Sequence, residues 1–206
     1  MVAAAALLPP SEIPQEDHYV VFRGATWADY QRLQAVRGDH SAPRITYIEG
    51  LLQIMSPSRT HESIKSVIGR LVEVYCLEKD IEFSTYGSWT IEDEHVQRGV
   101  EPDECYVFGA VDEPQRPDLA IEVVWTSGGI NKLGVYAGLG VREVWFWRKG
   151  VITPYVLRDG EYAAVSRSEA LPGIDLSQLA SFIDRRSTSA AMRGYRDVLV
   201  SQLERS

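Results

Sequence analysis

Two carboxylates and a lysine stand near one another in the middle of the chain, at Asp103, Glu122 and Lys132. Asp103 follows Pro102 at the start of an apolar run, and Glu122 interrupts a second apolar run, LAIEVVW. Two carboxylates on neighbouring strands suit Mg²⁺ or Mn²⁺, which bind a few carboxylate oxygens together with water and phosphate. A lysine beside them could orient or deprotonate an attacking water. This combination predicts metal-dependent hydrolysis of phosphodiesters.

Each of these residues alone also has a purely structural interpretation. A Pro-Asp pair is common where a chain enters a strand or a turn, because proline fixes its own φ and restricts the residue before it. Glu122 could form a buried salt bridge, for example with Arg142, since an unpaired buried carboxylate is costly or becomes protonated. Lys132 could be a solvated lysine at a helix start. The combination, more than any single residue, favours a site.

The elements around the acids predict how they are positioned. The runs LAIEVVW and VREVWFW flank a short helical pattern at residues 134–139, which together predict a βαβ crossover with two parallel strands. The run CYVF predicts the strand that begins beside Asp103. The sequence therefore predicts an α/β fold with a mixed central β-sheet flanked by helices, and both acids on neighbouring strands.

Upstream of the acids, RITYIEGLLQIMSP predicts a β-hairpin with strands Arg44–Ile48 and Leu51–Met55, turning at Glu49-Gly50. An apolar stripe at spacings of three and four predicts a long helix from His61 to Lys79. His61 alone is typical of a surface or cap-region histidine. The remaining predictions are a helix capped by Thr26 and ending near Gly38, short strands at 81–83 and 88–91, a hairpin turning at Asp159-Gly160, and helices at 176–182 and 189–203.

Length and composition describe an ordinary globular chain. Its 206 residues, 45% apolar and 24% charged, suffice for one substantial core. Residues 1–20 lack a clear period and predict a flexible N-terminal lead, and residues 21–206 predict a single domain with a C-terminal helical extension. The absence of an apolar run of roughly 18 residues argues against a membrane helix. Two cysteines without zinc-binding spacing fit reduced thiols, so we expect a cytoplasmic protein.

The net charge of −8 argues against a broad basic surface for nonspecific nucleic-acid binding. It is compatible with a local basic cleft, and with an acidic site whose charge a metal ion neutralises.

Several of these stretches together resemble the PD-(D/E)xK nuclease superfamily, and more narrowly the bacterial Uma-type family of restriction-endonuclease-like proteins. The resemblance spans much of Arg44–Trp147 and rests on YIEG-LLQIMSPS-x-x-H, the Pro-Asp strand, DLAIEV and K-x-x-x-Y-x-x-x-G-V-x-E-V-W. The sequence departs from the superfamily pattern at Val124, where the motif has a lysine. In the family the lysine lies in the following helix, and Lys132 matches that position.

This resemblance implies a restriction-endonuclease-like core, a DNA substrate and Mg²⁺ (or Mn²⁺) as cofactor. It makes Asp103 and Glu122 the metal ligands and Lys132 the catalytic lysine, and it implies that Glu49 and His61 line the site. We therefore expect a metal-dependent DNA endonuclease. A homodimer would supply one site for each DNA strand, but the sequence leaves the oligomeric state open. The alternative is a catalytically silent nucleic-acid-binding or protein-interaction module on a nuclease-derived scaffold, which the acidic net charge and Val124 favour.

Overall fold

A computed structural model describes residues 16–124 and 129–204 of the chain. In these residues the chain forms two β-sheets with helices packed against them. The strands are β1 (His18–Arg23), β2 (Arg44–Ile48), β3 (Leu51–Ser56), β4 (Phe83–Thr85), β5 (Ile91–Asp93), β6 (Arg98–Val100), β7 (Glu104–Phe108), β8 (Leu119–Val123), β9 (Glu143–Arg148), β10 (Val151–Arg158) and β11 (Glu161–Ala164). The helices are α1 (Trp27–Arg37), α2 (Arg59–Glu78), α3 (Lys132–Leu139), α4 (Leu176–Ala180) and α5 (Thr188–Leu203).

The strand order confirms the predicted α/β class and divides the strands between two sheets. One sheet has the order β1-β3-β2-β6-β5, and the other has the order β11-β10-β9-β8-β7-β4. The second sheet is mixed, because β8 and β9 run parallel while its other neighbours are antiparallel. Helix α3 joins the two parallel strands, which confirms the predicted βαβ unit. The predicted mixed sheet flanked by helices is confirmed, and the upstream hairpin belongs to the other, five-stranded sheet.

The two faces of the mixed sheet are covered by different helices. One face packs against α2, α4 and α5 in a core that contains Trp145 and Trp147. The opposite face packs against α3 through Val135, Tyr136 and Leu139. A third cluster forms under α1 on the five-stranded sheet. The strand β8 is therefore buried on both sides, and a charged residue in it needs partners.

Local sequence signals explain most of the element boundaries. Glu49 and Gly50 both have positive φ, at 42° and 87°, as a two-residue type I′ hairpin turn requires. Helix α1 begins after Thr26, which forms a capping box with Asp29. Helix α2 begins at Arg59, two residues before the predicted start, because the side chain of Ser58 caps it by accepting from the His61 N–H.

Other boundaries differ from the predictions because tertiary pairing sets them. Strand β1 includes residues 18–20 of the predicted flexible lead and pairs antiparallel with β3. Strands β4 and β5 lie two to three residues later than predicted, and β6 was not predicted. These strands have three residues each, which is too short for a pattern, and their register follows from pairing with β7 and with one another.

Residues 1–15 of the predicted N-terminal lead lie outside the described residues. Within residues 16–124 and 129–204, no helix is both long and apolar enough to cross a membrane.

Candidate active site

The structure brings Asp103 and Glu122 to adjacent strands, as predicted. In the antiparallel pairing of β7 with β8, Glu104 lies opposite Ile121, and the Asp103 N–H donates to the Ile121 carbonyl over 3.1 Å. The Asp103 carboxylate then accepts from the N–H of Val123 through Oδ2 over 2.6 Å. Asp103 is therefore hydrogen-bonded to the backbone N–H of the residue after Glu122. Both carboxylates are almost completely buried.

Glu122 is held by two residues of α3. Its Oε2 pairs with Lys132 Nζ at 2.6 Å, and its Oε1 accepts from the Tyr136 hydroxyl at 2.5 Å. Burial, and next the negative charge of Glu122, raise the pKa of Tyr136 well above its ordinary value, so the hydroxyl stays a donor. The alternative partner Arg142 is wrong, because Arg142 lies exposed and Lys132 takes its place. Lys132 is not a solvated lysine either, since only 16% of its side chain is exposed.

Asp103 has a separate set of partners on the hairpin and on α2. Its Oδ1 pairs with the Arg44 guanidinium, and it lies 3.0 Å from His61 Nε2. Arg44 also donates to Glu62 at 2.7 Å, and its Nη1 lies 3.2 Å from His61 Nε2. His61 is buried beside Asp103, so the interpretation as a surface histidine is wrong. Its role at the site stays a prediction.

Sequence reasoning missed Asp17, which lies just before β1. Its Oδ2 lies 2.9 Å from His61 Nδ1, and its Oδ1 accepts from the Ser58 N–H at 2.8 Å. Burial opposes ionisation of Asp17, but the bonds from His61 and Ser58 outweigh it and lower its pKa below the ordinary value. No local pattern marks this residue, because its role depends on β1 pairing with β3.

Sequence reasoning also missed Gln53, a buried polar residue of β3. Its Oε1 accepts from the Ile130 N–H at 2.8 Å, immediately before α3. The approach is close: a Cβ on Gly129, whose φ is +89°, would lie 2.3 Å from the same oxygen. Gln53 thus ties the hairpin to the start of the helix that carries Lys132. The only signal in the sequence was a polar residue within the apolar run LLQIM of a predicted strand.

Glu49 is not brought to these residues. It lies in the exposed hairpin turn and pairs with Arg98 at 2.7 Å. Glu101, two residues before Asp103, has a structural role. It pairs with Arg37 and accepts from the Ile45 N–H and the Thr90 hydroxyl. These bonds fix the Pro-Asp segment against α1 and β2.

A cleft of about 300 Å³ opens above Glu122. Its walls come from both sheets and from the start of α3, and they include Asp17, Gln53, Glu122, Lys132 and Arg148. Carboxylate, amide and cationic groups therefore face one space. Among residues 16–124 and 129–204, no three His, Cys, Asp or Glu side chains converge as a ready-made metal cage.

The family assignment follows from a sequence comparison. The Uma2 family model, described as "Putative restriction endonuclease", matches residues 27–184. This match spans well over half of the chain and includes both acids, the lysine and the hairpin. The chain belongs to the Uma2 family. The predicted resemblance to the Uma-type family is thereby confirmed.

Comparison with solved structures found a similar chain described as "a putative nuclease belonging to DUF820" from Anabaena variabilis. The two are 14% identical, with a TM-score of 0.47, over 78% of this chain and 96% of the other. A comparison with curated proteins found no match.

Proposed function

We propose that this Uma2 protein is a divalent-metal-dependent endonuclease that hydrolyses phosphodiester bonds in DNA. The proposal rests above all on the ion pair between Lys132 Nζ and Glu122 Oε2, 2.6 Å apart at the edge of the cleft. A glutamate in a strand buried on both faces, paired with a lysine from the crossover helix, is costly to keep for packing alone. The description of the family supports the same activity.

The donor chemistry of Asp103 and Glu122 fits Mg²⁺ or Mn²⁺. Mg²⁺ is usually bound through one or two carboxylates and completes its shell with water and substrate phosphate, so it needs no cage of three side chains. Two buried carboxylates on adjacent strands, linked through the Val123 amide, match this requirement. In the proposal these two residues hold the metal ion.

A bound divalent ion would polarise the phosphate and lower the pKa of a bound water. The protein's own residues have distinct tasks around it. Lys132 places a positive charge at the cleft, where it can orient the attacking water and stabilise negative charge on the phosphate. Tyr136 donates to Glu122 from the buried side and fixes the direction of its carboxylate. The Val123 N–H and the Arg44 guanidinium fix Asp103, and His61 lies beside Arg44 and Asp103.

Cationic groups at the cleft support a nucleic-acid substrate in spite of the net charge of −8. Arg148, at the exposed end of β9, lines the same cleft as Lys132. Phosphate contacts from arginine and lysine supply most of the sequence-independent affinity for DNA. A local pair of cations next to the carboxylates would bring the phosphate to them.

The test is a cleavage assay with supercoiled plasmid in Mg²⁺ and in Mn²⁺, with Asp103→Asn, Glu122→Gln and Lys132→Met as variants. We expect each variant to lose at least about 100-fold of the activity, the usual scale for removing a group that moves protons or charge. Glu161→Gln, on the exposed hairpin of β11, is the matched control and should cleave like the wild type. Full activity in both carboxylate variants would refute the assignment.

One observation favours the alternative of a catalytically silent binding module. Both candidate ligands already have protein cations beside them: Arg44 at Asp103, and Lys132 at Glu122. The two functions differ in metal affinity. Calorimetry with Mn²⁺ at millimolar concentration should show binding that Asp103→Asn and Glu122→Gln weaken, whereas a silent module would bind DNA without taking up the ion.

A further inference from the structure

The buried contacts of Asp17 form a connected path to Asp103. Asp17 Oδ2 lies 2.9 Å from His61 Nδ1, and His61 Nε2 lies 3.0 Å from Asp103 Oδ1. All three side chains are at least nine-tenths buried. A single imidazole therefore stands between two carboxylates, one of which comes from the segment before β1.

The chemistry of this path determines how His61 is oriented. An ionised carboxylate only accepts hydrogen bonds, so the Nδ1 that faces Asp17 must carry a proton and donate it. The other oxygen of Asp17 accepts from the Ser58 N–H, which fixes the carboxylate to the start of α2. In the neutral ring Nε2 then carries a lone pair and accepts, so its partner is the Arg44 guanidinium, whose Nη1 lies 3.2 Å away and pairs with Asp103.

We propose that Asp17 is a positioning residue of the active site, which fixes the His61 ring so that its Nε2 accepts from Arg44 and keeps that guanidinium on the Asp103 carboxylate. This inference rests on the proposed function for its effect on metal binding. Its effect on His61 is independent of that function. Strand β1 then serves the site as well as the sheet, because its pairing with β3 brings Asp17 over α2.

Two variants of Asp17 separate the proposal from a general effect on folding. In Asp17→Ala the Nδ1 proton loses its acceptor, so the ring should populate both neutral tautomers. In Asp17→Asn the side-chain oxygen is needed by the Ser58 N–H, which turns the amide NH₂ toward His61. That amide can only donate, so His61 should invert to the tautomer protonated at Nε2.

The first measurement is the ¹⁵N chemical-shift pattern of the His61 ring in the full chain, assigned with His61→Gln. We expect a protonated Nδ1 in the wild type, a mixture in Asp17→Ala and an inverted pattern in Asp17→Asn. The second is the dissociation constant for Mn²⁺, measured by electron paramagnetic resonance. Loss of an outer-shell partner typically weakens metal binding 10- to 100-fold, and we expect a weakening of about tenfold here.

The matched control is Asp29→Ala, which removes the side-chain acceptor of the capping box of α1 and lies away from the cleft. It should lower thermal stability without changing the His61 pattern or the affinity for Mn²⁺. An unchanged His61 pattern in both Asp17 variants would overturn the proposal, and so would a changed pattern with unchanged Mn²⁺ affinity. If the wild type binds no Mn²⁺, the proposed function fails, and the His61 pattern alone decides whether Asp17 positions the ring.

Discussion

Lys132 Nζ in α3 lies 2.6 Å from Glu122 Oε2 in β8, although the two residues are ten positions apart in the sequence. The glutamate is almost fully buried and the lysine reaches it from the start of the helix. In the proposed function, Lys132 takes the role of the superfamily lysine, at whose position this chain has Val124. It also gives the buried carboxylate its charge partner.

The ion pair should contribute to stability as well as to chemistry. Lys132→Met leaves Glu122 with the Tyr136 hydroxyl as its remaining partner and should cost about 1.5–3 kcal/mol, the scale of a hydrogen bond to a charged group. The double variant Lys132→Met/Glu122→Gln removes both charges, so its loss should be smaller than the sum of the single losses. Urea unfolding of all four proteins measures this coupling. Strict additivity would show that the two side chains do not interact in solution.

Gln53 should control the order of the turn before α3. Gln53→Leu leaves the Ile130 N–H without its acceptor, which costs about 1–3 kcal/mol when the group stays buried. We expect faster hydrogen exchange in a peptide covering residues 129–133 and lower cleavage activity. Gln53→Glu is the matched control for exchange, because it keeps an oxygen for Ile130. Equal protection in the wild type and Gln53→Leu would contradict this role.

Arg148 should contact DNA through phosphate, without reading sequence. Arg148→Ala should weaken binding to unrelated duplexes to a similar extent and lower the slope of log K against log salt by about one. Fluorescence anisotropy at several salt concentrations measures both effects. Arg193→Ala, on the exposed face of α5, removes the same charge away from the cleft and should leave the slope unchanged. A loss confined to one DNA sequence would indicate base contacts instead.

Glu104 should destabilise the protein at neutral pH. Burial, opposed by Lys65 and aided by the charge of Glu73, raises the pKa of Glu104 above its ordinary value of 4.5. A carboxyl whose pKa rises on folding favours the folded state only while protonated, so its contribution is lost as the pH rises through the folded pKa. Glu104→Gln should therefore raise the melting temperature at pH 7 and have little effect at pH 3.

The comparison for Glu104 is Glu161→Gln, which removes an exposed charge. A melting temperature that falls in Glu104→Gln at pH 7 would show that Lys65 pairs with Glu104 strongly enough to outweigh burial.

The parts of the site that local patterns encode could be predicted from the sequence. The βαβ unit with Glu122 and Lys132 follows from apolar runs and a short helical period, and the hairpin follows from its turn. The partners of Asp103 could not be predicted, because Arg44 and His61 meet it only through tertiary packing. Asp17 could not be predicted for the same reason. It directly precedes β1, and the side chains of that strand are mostly exposed, so the sequence shows no apolar alternation there.

The two acids of the site therefore differ in how much of the chain must be folded before each has all its partners. Glu122 finds its lysine ten residues away, within one supersecondary unit. Asp103 depends on a path that closes a loop of 44 residues between Asp17 and His61 and draws Arg44 from the other sheet. Loop closure of this kind is slow and entropically costly compared with local contacts. During folding, the Glu122–Lys132 pair should therefore form first. The contacts of Asp103 should form only after the two sheets have packed together.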